Sequence, residues 1–108
     1  MNTIKNTVIN KLNNVNVDNN IYNNVYNDNV AQLIKDSVDK PKAIGKIIAE
    51  KLNAEQNLKY YIKLAYLYPQ ETLFECIALT EEARKEGIIR TTPAQYFYGI
   101  VKRKKPSK

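Results

Sequence analysis

Apolar residues recur at helical spacing along almost the whole chain. Ile4, Val8, Ile9 and Leu12 fit one helical face. Ile21, Tyr22, Val25 and Tyr26 fit another, which continues into Val30, Leu33 and Ile34. This second run predicts a helix over about 20–38, with Asp18 placed to cap it. Asp39-Lys40-Pro41 breaks the pattern. Ala43, Ile44, Ile47, Ile48 and Leu52 then mark a helix over about 42–52. Asn53-Ala54-Glu55 reads as a short turn in which Asn53 ends one helix and caps the next. Leu58, Tyr61, Ile62 and Ala65 line a helix over about 55–67. Tyr60, Leu64 and Leu67 make its other side apolar, as expected of the central, most buried helix. Tyr68-Pro69 stops it, and Pro69 suits the first position of the next helix, about 69–86. That helix buries Leu73, Phe74 and Ile77 and ends at Gly87, a C′ residue.

The segment Gly87 to Lys105 supports two readings. In the helical one Thr92 is the N-cap, Pro93 stands at N1 and Gln95 at N3, the pattern of a capping box. Tyr96, Phe97, Ile100 and Val101 then share one face, while Tyr98 falls off it. In the other, Ile88–Thr92 and Tyr96–Lys102 pair as a β-hairpin. Gly99 costs the helix about 1 kcal/mol relative to alanine. The capping box is the more specific signal. The expected fold is therefore mainly α: a compact helical domain of helix-turn-helix type. The alternative is a winged helix with a C-terminal β-hairpin at 88–102.

Composition qualifies the N-terminal end. Residues 1–29 hold twelve asparagines and no glycine or proline, and asparagine is a poor former of either regular structure. Residues 1–19 are expected to form an arm, flexible or ordered only on a partner. A single helical domain is expected over 20–105, with a tail at 106–108. A chain of 108 residues makes one small domain.

The net charge of +6 favours polyanionic partners. It is unevenly spread: residues 31–68 and the last eighteen are basic, whereas Glu71, Glu75, Glu81, Glu82 and Glu86 make the helix over 69–86 acidic. In a winged version that acidic helix would occupy the usual recognition position, so binding is expected through the wing, the tail or the arm. Lys42 and Lys46 stand one turn apart, as do Lys59 and Lys63. The helices over 42–52 and 55–67, joined by a short turn, have helix-turn-helix dimensions. The ordinary alternative is a solvated face on a plain helical hairpin.

The chemistry of catalysis is thinly represented. The chain has no histidine and one cysteine, Cys76, so the usual Cys/His zinc site is excluded and no internal disulfide can form. There is no Gly-rich phosphate loop, paired-carboxylate signature or Ser/His/Asp set, and no enzyme activity or cofactor is expected. Glu81, Glu82 and Glu86 read as a solvated surface, and Cys76 as a small buried hydrophobe. Eight tyrosines allow base stacking, especially Tyr96 and Tyr98 beside cations. Tyr60, Tyr61, Tyr66, Tyr68 and Tyr96 read more simply as core or core-edge residues. No apolar run is long enough to cross a bilayer, no signal peptide is evident, and a cytoplasmic setting is the simplest.

The segment Gly87-Ile88-Ile89-Arg90-Thr91-Thr92-Pro93-Ala94-Gln95-Tyr96-Phe97-Tyr98-Gly99-Ile100-Val101-Lys102 resembles the closing segment of small plasmid and phage replication proteins. These often carry an Ile-Arg/Lys-Asn-Pro-x-x-Tyr-Phe…Leu-Lys pattern; threonine stands here in place of its asparagine. The small, basic, Asn-rich format is also similar to accessory DNA-binding proteins of conjugative plasmids, which implies a helix-turn-helix or winged-helix dimer. The expected function is a DNA-binding accessory protein of a mobile element, in plasmid transfer or replication. Its expected partners are double-stranded DNA, a second copy of the chain, and a larger replication or transfer enzyme, but not a membrane. The expected DNA contacts are Arg90, Thr91, Thr92, Gln95, Lys102, Arg103, Lys104 and Lys105, with Lys42, Lys46, Lys59 and Lys63 as a second set. The alternative is a protein-interaction adaptor or loader.

Overall fold

Short polar side chains and two left-handed residues set most of the helix boundaries in the computed structural model, which describes residues 19–106. Among them there are six α-helices and no strands: α1 Asn19–Val25, α2 Asp28–Asp36, α3 Lys40–Leu52, α4 Leu58–Leu67, α5 Gln70–Lys85 and α6 Pro93–Val101. A 3₁₀ turn, Glu55–Asn57, leads into α4. The arm expected at the N-terminus and the Asp18 cap lie outside the described residues.

The helix expected over 20–38 is two helices. Asn27 adopts an extended backbone, and its side chain accepts a hydrogen bond from the Val30 N–H at 3.1 Å. A short amide that caps the next turn competes with continuation of the previous helix. The apolar face nevertheless continues across the break, because Val25, Val30 and Ile34 are all buried. Leu33, expected on that face, is exposed.

Asp39 caps α3 through the Lys42 N–H at 3.1 Å, with Pro41 in the first turn, where a missing N–H is tolerated. Asn53 closes α3 at φ 53°, in the left-handed region usually given to glycine. The Ala54 N–H reaches the Ala49 carbonyl at 2.9 Å and the Asn53 N–H that of Glu50 at 3.1 Å, a Schellman pair. Asn53 thus ends one helix as expected, but it does not cap the next: Ala54 precedes the 3₁₀ turn, with no side-chain cap. Gly87 makes the same closure for α5 at φ 73°, through Ile88 N–H to Ala83 and Gly87 N–H to Arg84. Pro69 stands at the N-cap of α5 rather than at N1.

The core is continuous from α1 to α6. Its centre is α5, not the helix over 55–67. Leu73, Phe74, Cys76, Ile77, Ala78, Thr80 and Ala83 of α5 are buried, against only Tyr61 and Leu64 of α4. Three of the α5 residues, Cys76, Ala78 and Ala83, are small. The Thr80 hydroxyl, though buried, donates to the Cys76 carbonyl at 2.8 Å. Tyr66, expected at the core edge, is exposed. Helices α3 and α4 pack against each other, and α6 and α1 both pack on α5.

The segment over 93–101 is helical, so the hairpin of the winged-helix alternative is absent from the described residues. The Thr92 side chain accepts from the Gln95 N–H at 3.1 Å, as the capping pattern requires. Phe97 and Val101 are buried, and Ile100 packs against the core. Each such side chain, once buried, contributes about 1.5–3 kcal/mol. No helix among the described residues is long and apolar enough to cross a membrane.

Candidate nucleic-acid interface

Phe97 and Val101 turn into the core, which leaves Gln95, Tyr98 and Arg103 exposed. Gln95, Gly99 and Arg103 follow at successive helical turns, and all three line a groove of about 360 Å³. The α5–α6 connection lines it too, with Ile88, Ile89, Arg90 and Thr91. Gly99 leaves the floor open: a methyl group built on it would meet nothing within 4 Å. Four of the expected DNA-contacting residues, Arg90, Thr91, Gln95 and Arg103, thus share one concavity. Two guanidiniums, a hydroxyl and an amide make a donor-rich site for phosphate oxygens.

Other expected residues are distributed differently. Thr92 is occupied as the α6 cap and lines a second cleft of about 510 Å³, whose cations are Lys51 and Arg84. Arg84 pairs with Glu81. Lys51 and Arg84 are not among the residues expected from the sequence. Lys102 does not extend into solvent alone; its ammonium lies 5.5 Å from the Tyr98 ring centroid, a cation–π distance. Lys104 is half-buried, and its charge acts on Glu75 and Cys76 of α5. Arg103 and Lys105 are exposed.

Lys42 and Lys46 are exposed on α3, and Lys59 and Lys63 on α4. With Tyr66, Lys59 and Lys63 form one solvent-facing stripe on α4.

A third concavity, about 260 Å³, is lined by Asn57, Tyr60, Tyr61, Ala94, Gln95 and Tyr98. The Tyr60 and Tyr98 centroids are 5.8 Å apart, and a ring-to-ring chain continues through Tyr61 to buried Phe97. The Asn57 amide donates to the Tyr61 hydroxyl at 3.4 Å. Burial, then the neighbouring Tyr98, Tyr68 and Tyr61, push the Tyr60 hydroxyl up to about 12. Its ring is therefore neutral at any physiological pH.

On the far side of α5, burial raises the Glu75 carboxyl above its ordinary value, with Lys104 opposing and Glu71 adding to the shift. Glu75 and Glu71 in turn help burial raise the Tyr22 hydroxyl. Part of the acidic charge of α5 thus acts on Tyr22 of α1. Cys76 is fully buried, and its thiol is pushed up to about 12, chiefly by burial. Among the described residues no group of three or more Cys, Asp or Glu side chains could hold a metal ion.

Comparison with protein-family profiles, curated proteins and solved structures finds no match for this chain.

Proposed function

We propose that the protein is a non-enzymatic DNA-binding accessory protein of a mobile element, acting in plasmid transfer or replication. The observation that carries the reading is the groove shared by Arg90, Thr91, Gln95 and Arg103 on a chain of net charge +6. In this reading the two guanidiniums and the Thr91 hydroxyl bind successive phosphates, and Gln95 reaches toward the bases. Helices α3 and α4 act as the helix-turn-helix pair, with Lys59 and Lys63 on the outer face of its second helix. A second copy of the chain supplies the other half-site.

The test is a salt titration of binding to duplex DNA. Phosphate contacts release counterions, so affinity falls by orders of magnitude between about 50 and 200 mM salt when six or more phosphates are engaged. Affinity that hardly responds to salt, or no binding at low salt, removes this reading. It would favour an adaptor that docks on a larger replication or transfer enzyme. Leu33 at 62 % and Val38 fully exposed, near the end of α2, are the observation on that side.

A further inference from the structure

We propose that the Tyr60–Tyr98 groove receives an unpaired nucleobase, so that the protein engages single-stranded nucleic acid in addition to duplex. The inference rests on the DNA-binding reading above and names the form of nucleic acid the same surface takes.

Three observations converge. First, the groove has an aromatic wall that is open to solvent. Tyr98 is 49 % exposed, a high value for an aromatic ring packed against another at 5.8 Å. Second, it lies between two cationic clefts. It shares Gln95 with the Arg90–Arg103 groove and Ala94 with the Lys51–Arg84 cleft. Glu81 offsets part of the Arg84 charge, so the Arg90–Arg103 side is the stronger. Third, the polar groups at the rim are amides. Asn57 and Gln95 each offer a donor and an acceptor, the complement of a base edge, and Lys102 adds a cation beside Tyr98.

This arrangement is what a single strand requires. Its backbone follows positive charge, and its bases, freed from pairing, stack on aromatic faces. A paired base stays stacked inside the duplex and presents no free face to a tyrosine ring. An apolar peptide side chain would fit the rings but has no use for cationic clefts on both sides, so charge complementarity selects the nucleic acid.

The experiment compares dissociation constants for a labelled oligo(dT) strand and for a duplex of equal length. It uses the full-length protein and its Tyr98→Phe and Tyr98→Leu variants. Leucine keeps an apolar side chain of high helix propensity on α6 but presents no π face. Tyr98→Leu is expected to weaken single-strand binding about five- to hundredfold, the range for loss of one stacked base. Duplex binding should stay within about twofold, and Tyr98→Phe should behave as wild type on both. Unchanged single-strand affinity in Tyr98→Leu, or an equal loss on both substrates, overturns the inference. Duplex binding without single-strand binding overturns it while leaving the DNA-binding reading intact; binding to neither removes both. Photocrosslinking of the unmodified protein to a 5-iodouracil strand gives a second readout that needs no variant. An adduct on Tyr60 or Tyr98 is expected, and adducts confined to other residues overturn the assignment.

Discussion

Gly45 of α3 lies against Ile62 of α4 so closely that a methyl group on Gly45 would stand 2.5 Å from the Ile62 Cγ1 and 2.8 Å from its backbone nitrogen. Backbone atoms cannot move aside as a side-chain tip can, so the two helices would have to separate. Gly45→Ala is expected to destabilise by about 1–3 kcal/mol despite alanine's better helix propensity. Thermal melts of this variant beside Gly99→Ala make the comparison internal. Gly99 has open space around it, so there the propensity gain of about 1 kcal/mol should appear as a higher melting temperature.

Asn53 closes α3 in a left-handed conformation that costs a residue with a Cβ about 1–2 kcal/mol, less for asparagine. Asn53→Gly should leave stability equal or higher, whereas Asn53→Ala should lower it by about 1 kcal/mol. Urea denaturation of both variants measures the difference. Loss of stability in the glycine variant would show that the Asn53 side chain matters more than its backbone.

Arg90 and Arg103 both line the groove that Gly99 also lines. If each holds one phosphate, Arg90→Ala and Arg103→Ala should each reduce the salt slope of duplex binding by about 1. Lys104→Ala should change it less, because that ammonium acts on Glu75 rather than on the groove. Equal slopes for all three variants would assign the cations only a diffuse role. Gly99→Leu should fill the floor and weaken binding without lowering the melting temperature.

Glu75 gives a pH dependence of definite sign. Burial raises its carboxyl pKa, with Lys104 opposing and Glu71 adding. A raised folded-state pKa means that folding favours the protonated acid. The contribution is complete below the unfolded carboxylate pKa of about 4.3 and is lost as pH rises through the higher folded value. Glu75→Gln cannot ionise, so relative to wild type it should gain stability as pH rises across that window. Denaturant melts at several pH values check it, and a constant difference between the two proteins would show that Glu75 is effectively solvated.

Much of this architecture is legible in the residues. The apolar spacing of α3, the Thr92 cap of α6 and the Gly87 stop of α5 all reflect local chemistry, and the structure uses each of them. The break at Asn27 is not legible from periodicity, because the same apolar face serves α1 and α2. The central role of α5 is hidden for a different reason. Four of its seven buried positions, Cys76, Ala78, Thr80 and Ala83, are small or polar, and such residues mark a buried face less plainly than the large apolar side chains of α4 do. At the candidate interface, residue types pointed to Arg90 and Arg103 separately. Their sharing of one groove depends on α6 docking through Phe97, which no local pattern specifies. The cleft of Lys51 and Arg84 is likewise made only by the tertiary fold, which brings the ends of α3 and α5 to the start of α6.

Cys76 carries a consequence for how this molecule is handled. Its sulfur has no route to solvent while α5 is in place, so an alkylating or oxidising reagent must wait for the helix to come away. The rate of labelling under native conditions therefore clocks the opening of the protein's interior. It also sets how quickly folded chains can become covalently cross-linked in air.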